Sequence, residues 1–196
     1  MRPFLAALSM LSCLPLGGFC PTEKDMRRSI YFFPAAGILF GLLFYGLAWL
    51  CVRYLPHSAT AMILTLAPEF LTKGFHLDGL ADTADGFMSS RPRERKLEIM
   101  RDSRIGTMGV FAIVALLGMK FALFESMSSV MIPAAALMML NGRCAMVFYI
   151  AMSRYARPDG LGALFFQSKP WGGIVFSLAA MSVCNWFLAG ITGLIT

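Results

Sequence analysis

Residues 30–52 read IYFFPAAGILFGLLFYGLAWLCV, a run of 23 positions without a charged side chain. As an α-helix this run would be about 35 Å long, enough to cross the hydrocarbon core of a bilayer. Two other stretches, residues 4–20 and 59–72, are shorter or broken by proline and glycine, and each could be a full span or a re-entrant segment. The pattern predicts an all-α, polytopic transmembrane helical bundle with about six membrane segments. The remaining three apolar segments are residues 107–124, 128–152 and 171–194.

The composition of the whole chain also indicates a membrane protein. Of its 196 residues 58% are hydrophobic and only 14% are charged, and the mean hydropathy is +0.68. Soluble domains carry about 25% charged residues. No linker-like stretch divides the chain, so residues 1–196 are predicted to form one membrane-embedded domain. Nucleic-acid binding is not expected despite the net charge of +6, because the basic residues lie between apolar spans.

The distribution of basic residues predicts the orientation in the bilayer. Three loops, residues 20–28, 73–106 and 153–170, carry 13 of the 17 lysines and arginines. Alternating spans place these loops on one side, which the positive-inside rule makes cytoplasmic. The N-terminus would then be outside if residues 4–20 span the membrane fully. The loop at 73–106 is both acidic and basic, and it is the part of the chain in which chemistry is expected.

Residues 76–86 read HLDGLADTADG and place three carboxylates in eight positions. Asp78, Asp82 and Asp85 are spaced i, i+4 and i+7, so on a helix they would share one face. Carboxylates this close repel one another unless a cation or protons neutralise them. All-oxygen ligands suit Mg²⁺, which commonly accompanies phosphate-bearing substrates. The run therefore predicts a magnesium site at a membrane surface, with a solvated loop of chance acids as the plainer alternative.

Three further ionisable residues are candidates for the same site. Glu69 lies near the cytoplasmic end of an apolar segment and is predicted to be a fourth metal ligand. Arg143 lies about 13 Å inside its own helix, where it could face a phosphate group or form a structural ion pair with Glu69. His76 could be a metal ligand, a general base or a simple interfacial residue.

Residues 91–107 read RPRERKLEIMRDSRIGT and contain interleaved acids and bases. The plainer interpretation is a cytoplasmic amphipathic helix with surface ion pairs. The end of the segment suggests more, because Asp102, Ser103 and Arg104 come directly before an apolar span. A helix N-terminus with arginine and serine nearby is suited to an anion. We therefore predict that Arg101, Asp102 and Ser103, together with Arg143, bind a phosphorylated substrate, and that Arg104 acts in catalysis.

The run at 76–86 resembles the most characteristic segment of the cobalamin synthase family, the membrane-bound adenosylcobinamide-GDP ribazoletransferases. Residues 95–109 are similar to the family's following segment, and Phe33-Pro34 with Gly37 and Gly41 resembles the start of its early membrane helix. The similarity covers most of the chain. Family members usually extend further, with a Gly-Asp-containing segment near the C-terminus. Its absence before Thr196 predicts either a truncated chain or a short variant.

The resemblance implies a reaction in the last steps of cobalamin biosynthesis. The ribose 3′-hydroxyl of α-ribazole, or of its 5′-phosphate, would attack the pyrophosphate of adenosylcobinamide-GDP. GMP would leave, and adenosylcobalamin or its 5′-phosphate would form. The resemblance further implies Mg²⁺ as cofactor and a multi-pass location in the bacterial inner membrane. The active site would face the cytoplasm, and the chain could form a homo-oligomer.

The residues and the resemblance together predict a mechanism. Glu69, Asp78, Asp82 and Asp85 would hold one or two Mg²⁺ ions at the pyrophosphate. His76 or a carboxylate such as Asp82 would accept the proton of the attacking hydroxyl. Two alternatives are weaker. A CDP-alcohol phosphotransferase usually has Ala-Arg shortly after Asp-Gly, whereas a cation transporter should carry its acids near the bilayer midplane.

Overall fold

The computed structural model describes residues 1–157, 160–167 and 169–190, and within these ranges every regular element is a helix. The predicted all-α class is therefore confirmed. The helices are α1 (Arg2–Leu11), α2 (Glu23–Ser29), α3 (Phe33–Tyr54), α4 (His57–Leu71), α5 (Phe75–Met88), α6 (Arg93–Ile99), α7 (Thr107–Ser126), α8 (Met131–Met152), α9 (Ala163–Phe166) and α10 (Trp171–Ala189), with a 3₁₀ turn at Ile30–Phe32 joining α2 to α3.

In the described part of the chain, four helices are long and apolar enough to cross a membrane. These are Glu23–Tyr54, Thr107–Ser126, Met131–Met152 and Trp171–Leu188. They confirm a polytopic helical membrane protein. The end of the predicted segment 171–194 lies outside the described residues.

The two segments that the sequence left open are both short helices. In the first segment, α1 (Arg2–Leu11) has 10 residues, and the chain then turns through Gly17 and Gly18 at positive φ. In the second segment, α4 (His57–Leu71) has 15 residues, a length of about 22 Å against a hydrocarbon core of about 30 Å. Neither is long enough to span the membrane as a straight helix.

Contacts group the chain into two compact units. The first combines Met1–Pro56 with Ser128–Thr196, and the second is His57–Met127. We refer to them as the outer-sequence unit and the central unit. That residues 1–196 form a single catalytic domain stays a prediction.

In the outer-sequence unit, α3 and α8 approach each other closely because α3 carries glycine at the contact. A Cβ added to Gly41 would lie 3.0 Å from the carbonyl oxygen of Ala136, and one added to Gly37 would lie 3.1 Å from Cα of Leu140. Small residues allow such close backbone packing between membrane helices. The amides of Asn141 and Asn185 then join α8 to α10, with Nδ2 of Asn185 donating to Oδ1 of Asn141 at 3.3 Å.

The central unit contains α4, α5, α6 and α7. After α4 the chain turns through Lys73 and Gly74, at φ of 55° and 70°, and α5 begins at once. At the other end of α4, Nε2 of His57 lies 2.8 Å from the carbonyl oxygen of Glu125, and Oγ of Ser58 donates to Oε1 of Glu125 at 2.9 Å. The first turn of α4 is thereby joined to the last turn of α7.

Candidate functional site

The three aspartates of the acidic run lie on one helix, α5. Their predicted helical register is confirmed, because residues Phe75–Met88 form a helix and not a loop. At about 100° per residue, Asp78, Asp82 and Asp85 fall within an arc of about 60°. Asp78 is exposed, while Asp82 and Asp85 are half-buried. The acids thus form one face whose end near Asp85 is covered by protein.

The carboxylate of Asp85 binds the beginning of α7. Its Oδ2 accepts a hydrogen bond from the backbone N–H of Gly106 at 2.7 Å, and its Oδ1 accepts one from Gly109 at 2.9 Å. Gly106 is the residue before α7, and Gly109 lies in its first turn. The first amides of a helix lack partners within the helix and carry positive partial charge, so a carboxylate there is stabilised. Asp85 therefore caps α7 from a neighbouring helix.

The two glycines make room for this carboxylate. A Cβ added to Gly109 would lie 2.5 Å from Oδ2 of Asp85 and 3.1 Å from Cβ of Ala81. A Cβ added to Gly106 would also collide with the Asp85 carboxyl group. Sequence reasoning missed both glycines as part of the site, although two glycines three residues apart at the start of an apolar span were a usable sign of close helix contact.

Glu69 forms an ion pair with Lys120, at 2.7 Å between Oε1 and Nζ. The two side chains are 15% and 16% exposed. Sequence reasoning assigned Lys120 no role, yet an isolated lysine within an apolar span signals a partner of opposite charge. This pair differs from the predicted partnership of Glu69 with Arg143. That Glu69 is a metal ligand stays a prediction, although its carboxylate is already engaged.

An open groove of about 500 Å³ runs along α4 and α5 beside this ion pair. Apart from Glu69 and Lys73, the side chains that line it are apolar. One of them, Leu77, directly precedes Asp78. The groove therefore offers an apolar surface within one residue of the first aspartate.

The predicted anion-binding segment lies between α6 and α7. Asp102 holds Arg104 through Oδ2 and Nη2 at 2.6 Å and through Oδ1 and Nε at 3.0 Å, and it also accepts the backbone N–H of Arg104 at 3.1 Å. The hydrogen bonds from the Arg104 side chain and backbone lower the pKa of Asp102 to about 2. The guanidinium remains open to solvent, since the Arg104 side chain is 87% exposed. Ser103 is exposed beside it.

The amphipathic-helix interpretation holds for the first half of this segment. Residues Arg93–Ile99 form α6, on which Arg95 and Glu98 make an exposed ion pair at 2.5 Å. The α-helix ends before Arg101, which is exposed. Arg101 and Arg104 are therefore placed on a non-helical connection that leads directly into Gly106.

His76 and Arg143 have different surroundings. The rings of His76 and Phe75 pack edge-on, with centroids 5.4 Å apart. It precedes Asp78 by two residues on α5, which turns it by about 200° from that aspartate. Arg143 belongs to the outer-sequence unit, where it is buried and its guanidinium lies over the ring of Phe40 at 5.2 Å.

The carboxylates of α5 suit Mg²⁺, although they do not form a complete set of metal ligands by themselves. Within residues 1–157, 160–167 and 169–190, no three His, Cys, Asp or Glu side chains converge as a metal-binding group. Mg²⁺ is usually bound through only one or two carboxylates, with waters and substrate phosphates completing its octahedron. Asp78 and Asp82, one helical turn apart, can supply such a pair. A site of this kind would be completed only by the phosphorylated substrate.

Comparison with known proteins identifies relatives of this chain. The chain is similar to proteins named adenosylcobinamide-GDP ribazoletransferase from Roseiflexus sp. (strain RS-1), at 39% identity over 98% of the chain and 72% of the relative, and from Klebsiella pneumoniae subsp. pneumoniae, at 37% over 99% and 81%. The relative in Geotalea daltonii is 33% identical over 99% of the chain and 79% of its own length.

These names do not favour the CDP-alcohol phosphotransferase or the transporter. No solved structure matches the chain. Residues 3–196 match the family described as cobalamin-5-phosphate synthase. The chain, with its aspartate helix and four long apolar helices, therefore belongs to the cobalamin-5-phosphate synthase family.

Proposed function

We propose that this protein joins α-ribazole, or its 5′-phosphate, to adenosylcobinamide-GDP and releases GMP. Its relatives are named adenosylcobinamide-GDP ribazoletransferases. The observation that supports this proposal best is the aspartate face of α5. Two of its carboxylates, on Asp78 and Asp82, are one turn apart, and its third is bound to the start of α7. Reaction at a pyrophosphate needs such a cation-binding group close to basic residues that offset the negative charge of the phosphates.

The metal ligands in this proposal are Asp78 and Asp82. Bound Mg²⁺ would supply positive charge to the pyrophosphate and to the departing GMP. Glu69 and Asp85 were predicted to join them, but their carboxylates already bind Lys120 and the amides at the start of α7. We assign cation binding to α5 and anion binding to the connection before α7.

The connection between α6 and α7 would bind the phosphate groups. Arg104 extends into solvent while Asp102 fixes its guanidinium on one side through two hydrogen bonds. The remaining N–H donors of the guanidinium can bind phosphate oxygens, for which its planar fork is well suited. Arg101 and Ser103 are exposed next to it and would add charge and a hydroxyl donor.

A carboxylate is the better candidate for the general base. With Asp78 and Asp82 as the metal ligands, the attacking 3′-hydroxyl would approach the pyrophosphate near these residues. His76 lies on the other side of α5 by helical register, so it would need a different approach path. Asp82, which is half-buried, would orient the hydroxyl and accept its proton as the bond to phosphorus forms and GMP leaves.

The site would face the cytoplasm of a bacterium from the inner membrane. Seven of the 17 lysines and arginines lie in residues 73–106, and cytoplasmic loops concentrate such residues. Adenosylcobinamide-GDP carries a charged pyrophosphate, so an aqueous approach is required. The apolar groove beside Leu77 gives the less polar part of a substrate a surface to contact.

The test is GMP release by purified protein in detergent with adenosylcobinamide-GDP, α-ribazole and Mg²⁺. Wild-type protein should release GMP, and Asp82→Asn should lower the rate at least about a thousandfold, since it loses both a ligand and the base. Glu94→Gln is the matched control, because Glu94 is an exposed acid on α6. It should keep the wild-type rate. Near-normal turnover by Asp82→Asn would contradict the assigned chemistry.

A further inference from the structure

Both carboxylate oxygens of Asp85 are bound to the backbone of α7. Each oxygen accepts one backbone N–H from the start of α7, at 2.7 Å from Gly106 and 2.9 Å from Gly109. These contacts connect positions 21 and 24 residues apart in the sequence. They therefore fix tertiary structure and do more than complete a local turn.

We propose that Asp85 is a positioning residue, which holds the phosphate-binding connection against the metal-binding helix and is not itself a metal ligand. This proposal rests on the proposed function for the meaning of the two groups that it joins. Asp78 and Asp82 lie on the same helix as Asp85. Arg104 lies two residues before Gly106. The hydrogen bonds of Asp85, together with the short stretches of chain on either side of them, thus fix the distance from the proposed metal ligands to Arg104.

The packing around Asp85 shows that the spacing between α5 and α7 is fixed closely. Ala81, one turn before Asp85, is buried against the same part of α7. A Cβ on Gly109 would lie 3.1 Å from Cβ of Ala81, 3.1 Å from Cγ1 of Ile105 and 2.5 Å from the Asp85 carboxylate. Side-chain atoms of these three residues surround the position, so a methyl group could enter only if the Asp85 carboxylate moved away from it.

The contacts of Asp85 also affect where the phosphate of the substrate can bind. The sequence suggested that the N-terminus of α7 would bind the substrate's phosphate. Two amides there are already bound to Asp85, so a phosphate would have to displace a carboxylate of the protein. The arginines of the preceding connection are exposed instead. Asp85 therefore directs the phosphate away from the helix end and toward Arg101 and Arg104.

Two variants disrupt this contact in independent ways. Asp85→Asn keeps the size of the side chain but replaces one acceptor oxygen by an NH₂ group that faces a backbone N–H. Gly109→Ala keeps the carboxylate but fills its space. Gly118→Ala is the matched control on the same helix, because a Cβ there has nothing within 4 Å.

The first measurement is hydrogen exchange of a peptide that covers residues 103–112, which needs no substrate. Asp85→Asn and Gly109→Ala should raise the exchange rates of the Gly106 and Gly109 amides about tenfold or more, while Gly118→Ala leaves them unchanged. The second is a Mg²⁺ titration of GMP release. Both variants should lower kcat/KM at least about tenfold, because misplacement by 1 Å can cost about a hundredfold. Their half-saturating Mg²⁺ concentration should remain within about twofold of the wild type, whereas a lost metal ligand typically costs far more.

Unchanged exchange in Asp85→Asn would overturn the proposal. So would a Mg²⁺ requirement raised about tenfold in Asp85→Asn but not in Gly109→Ala, since that result would identify a metal ligand. If wild-type protein released no GMP, that result would contradict the proposed function but not the proposed role of Asp85. The exchange rates and a Mg²⁺ titration followed by thermal stability would still decide the role of Asp85.

Discussion

Glu69 on α4 and Lys120 on α7 neutralise each other inside the central unit, at 2.7 Å and with about one sixth of each side chain exposed. Charges in such surroundings lose most of their hydration, so each depends on the other. This pair joins α4 to α7 nearer the C-terminal end of α7, whereas Asp85 joins α5 to the beginning of α7. It therefore contributes to the framework on which the aspartate face is built.

Lys120→Met should destabilise the protein by about 3 kcal/mol, because it leaves a carboxylate that is only 15% exposed without its cation. The double variant Glu69→Gln with Lys120→Met should recover at least half of that loss, since replacing both partners removes the uncompensated charge. Thermal unfolding in detergent measures both. A double variant less stable than Lys120→Met would contradict this account, and a raised Mg²⁺ requirement in Glu69→Gln would support Glu69 as a ligand.

Asp78→Asn and Asp82→Asn should each raise the Mg²⁺ concentration needed for GMP release. If the two residues hold one ion, the double variant should be little worse than the more damaged single variant, because residues that act as a unit are not additive. Initial rates measured across a Mg²⁺ series provide the comparison. Strictly multiplicative losses would indicate that the two carboxylates act independently.

Asp102→Asn should weaken substrate binding without changing the pH profile near neutrality. Its pKa, about 2 against an ordinary value of 3.8, means that the folded state favours the ionised form. The stability from the Asp102–Arg104 contact is therefore fully present above about pH 4 and is lost as the pH falls toward 2. We expect a KM for adenosylcobinamide-GDP raised about threefold to tenfold and the same profile from about pH 5 to 8. A shifted acid limb would show that Asp102 titrates during catalysis.

Gly41→Ala should destabilise the outer-sequence unit by about 1–3 kcal/mol, because the new methyl group meets the carbonyl oxygen of Ala136 at 3.0 Å. Gly46→Ala on the same helix is the control. A Cβ there has nothing within 4 Å, and alanine is the better helix former by about 1 kcal/mol. Opposite shifts of the unfolding temperature are expected. Equal shifts would show that α3 and α8 can separate without cost.

Much of the helical architecture could be predicted from apolar runs alone. The run at 107–124 became Thr107–Ser126, and the run at 128–152 became Met131–Met152. These boundaries follow from local chemistry, since a lipid-facing backbone must satisfy its hydrogen bonds within the helix. The early end of α1 was harder to foresee, because the break lies several residues before Gly17.

The partners of the charged residues could not be predicted in the same way. Periodicity placed Asp85 with Asp78 and Asp82 on one face, which is correct. It could not show that α7 covers one end of that face, because the contact depends on how two helices cross. The same applies to Glu69, for which the sequence offered Arg143 and the structure provides Lys120.

Three attachments are spaced along α7: Asp85 at its first amides, Glu69 at Lys120, and the His57–Ser58 pair at Glu125. The helix consequently acts as a spacer of defined length. Inserting one residue would advance everything beyond it by about 1.5 Å and rotate it by about 100°. The attachments on the two sides of an insertion could not be satisfied together. Variation in the length of this helix should therefore be tolerated far less than variation in its lipid-facing side chains.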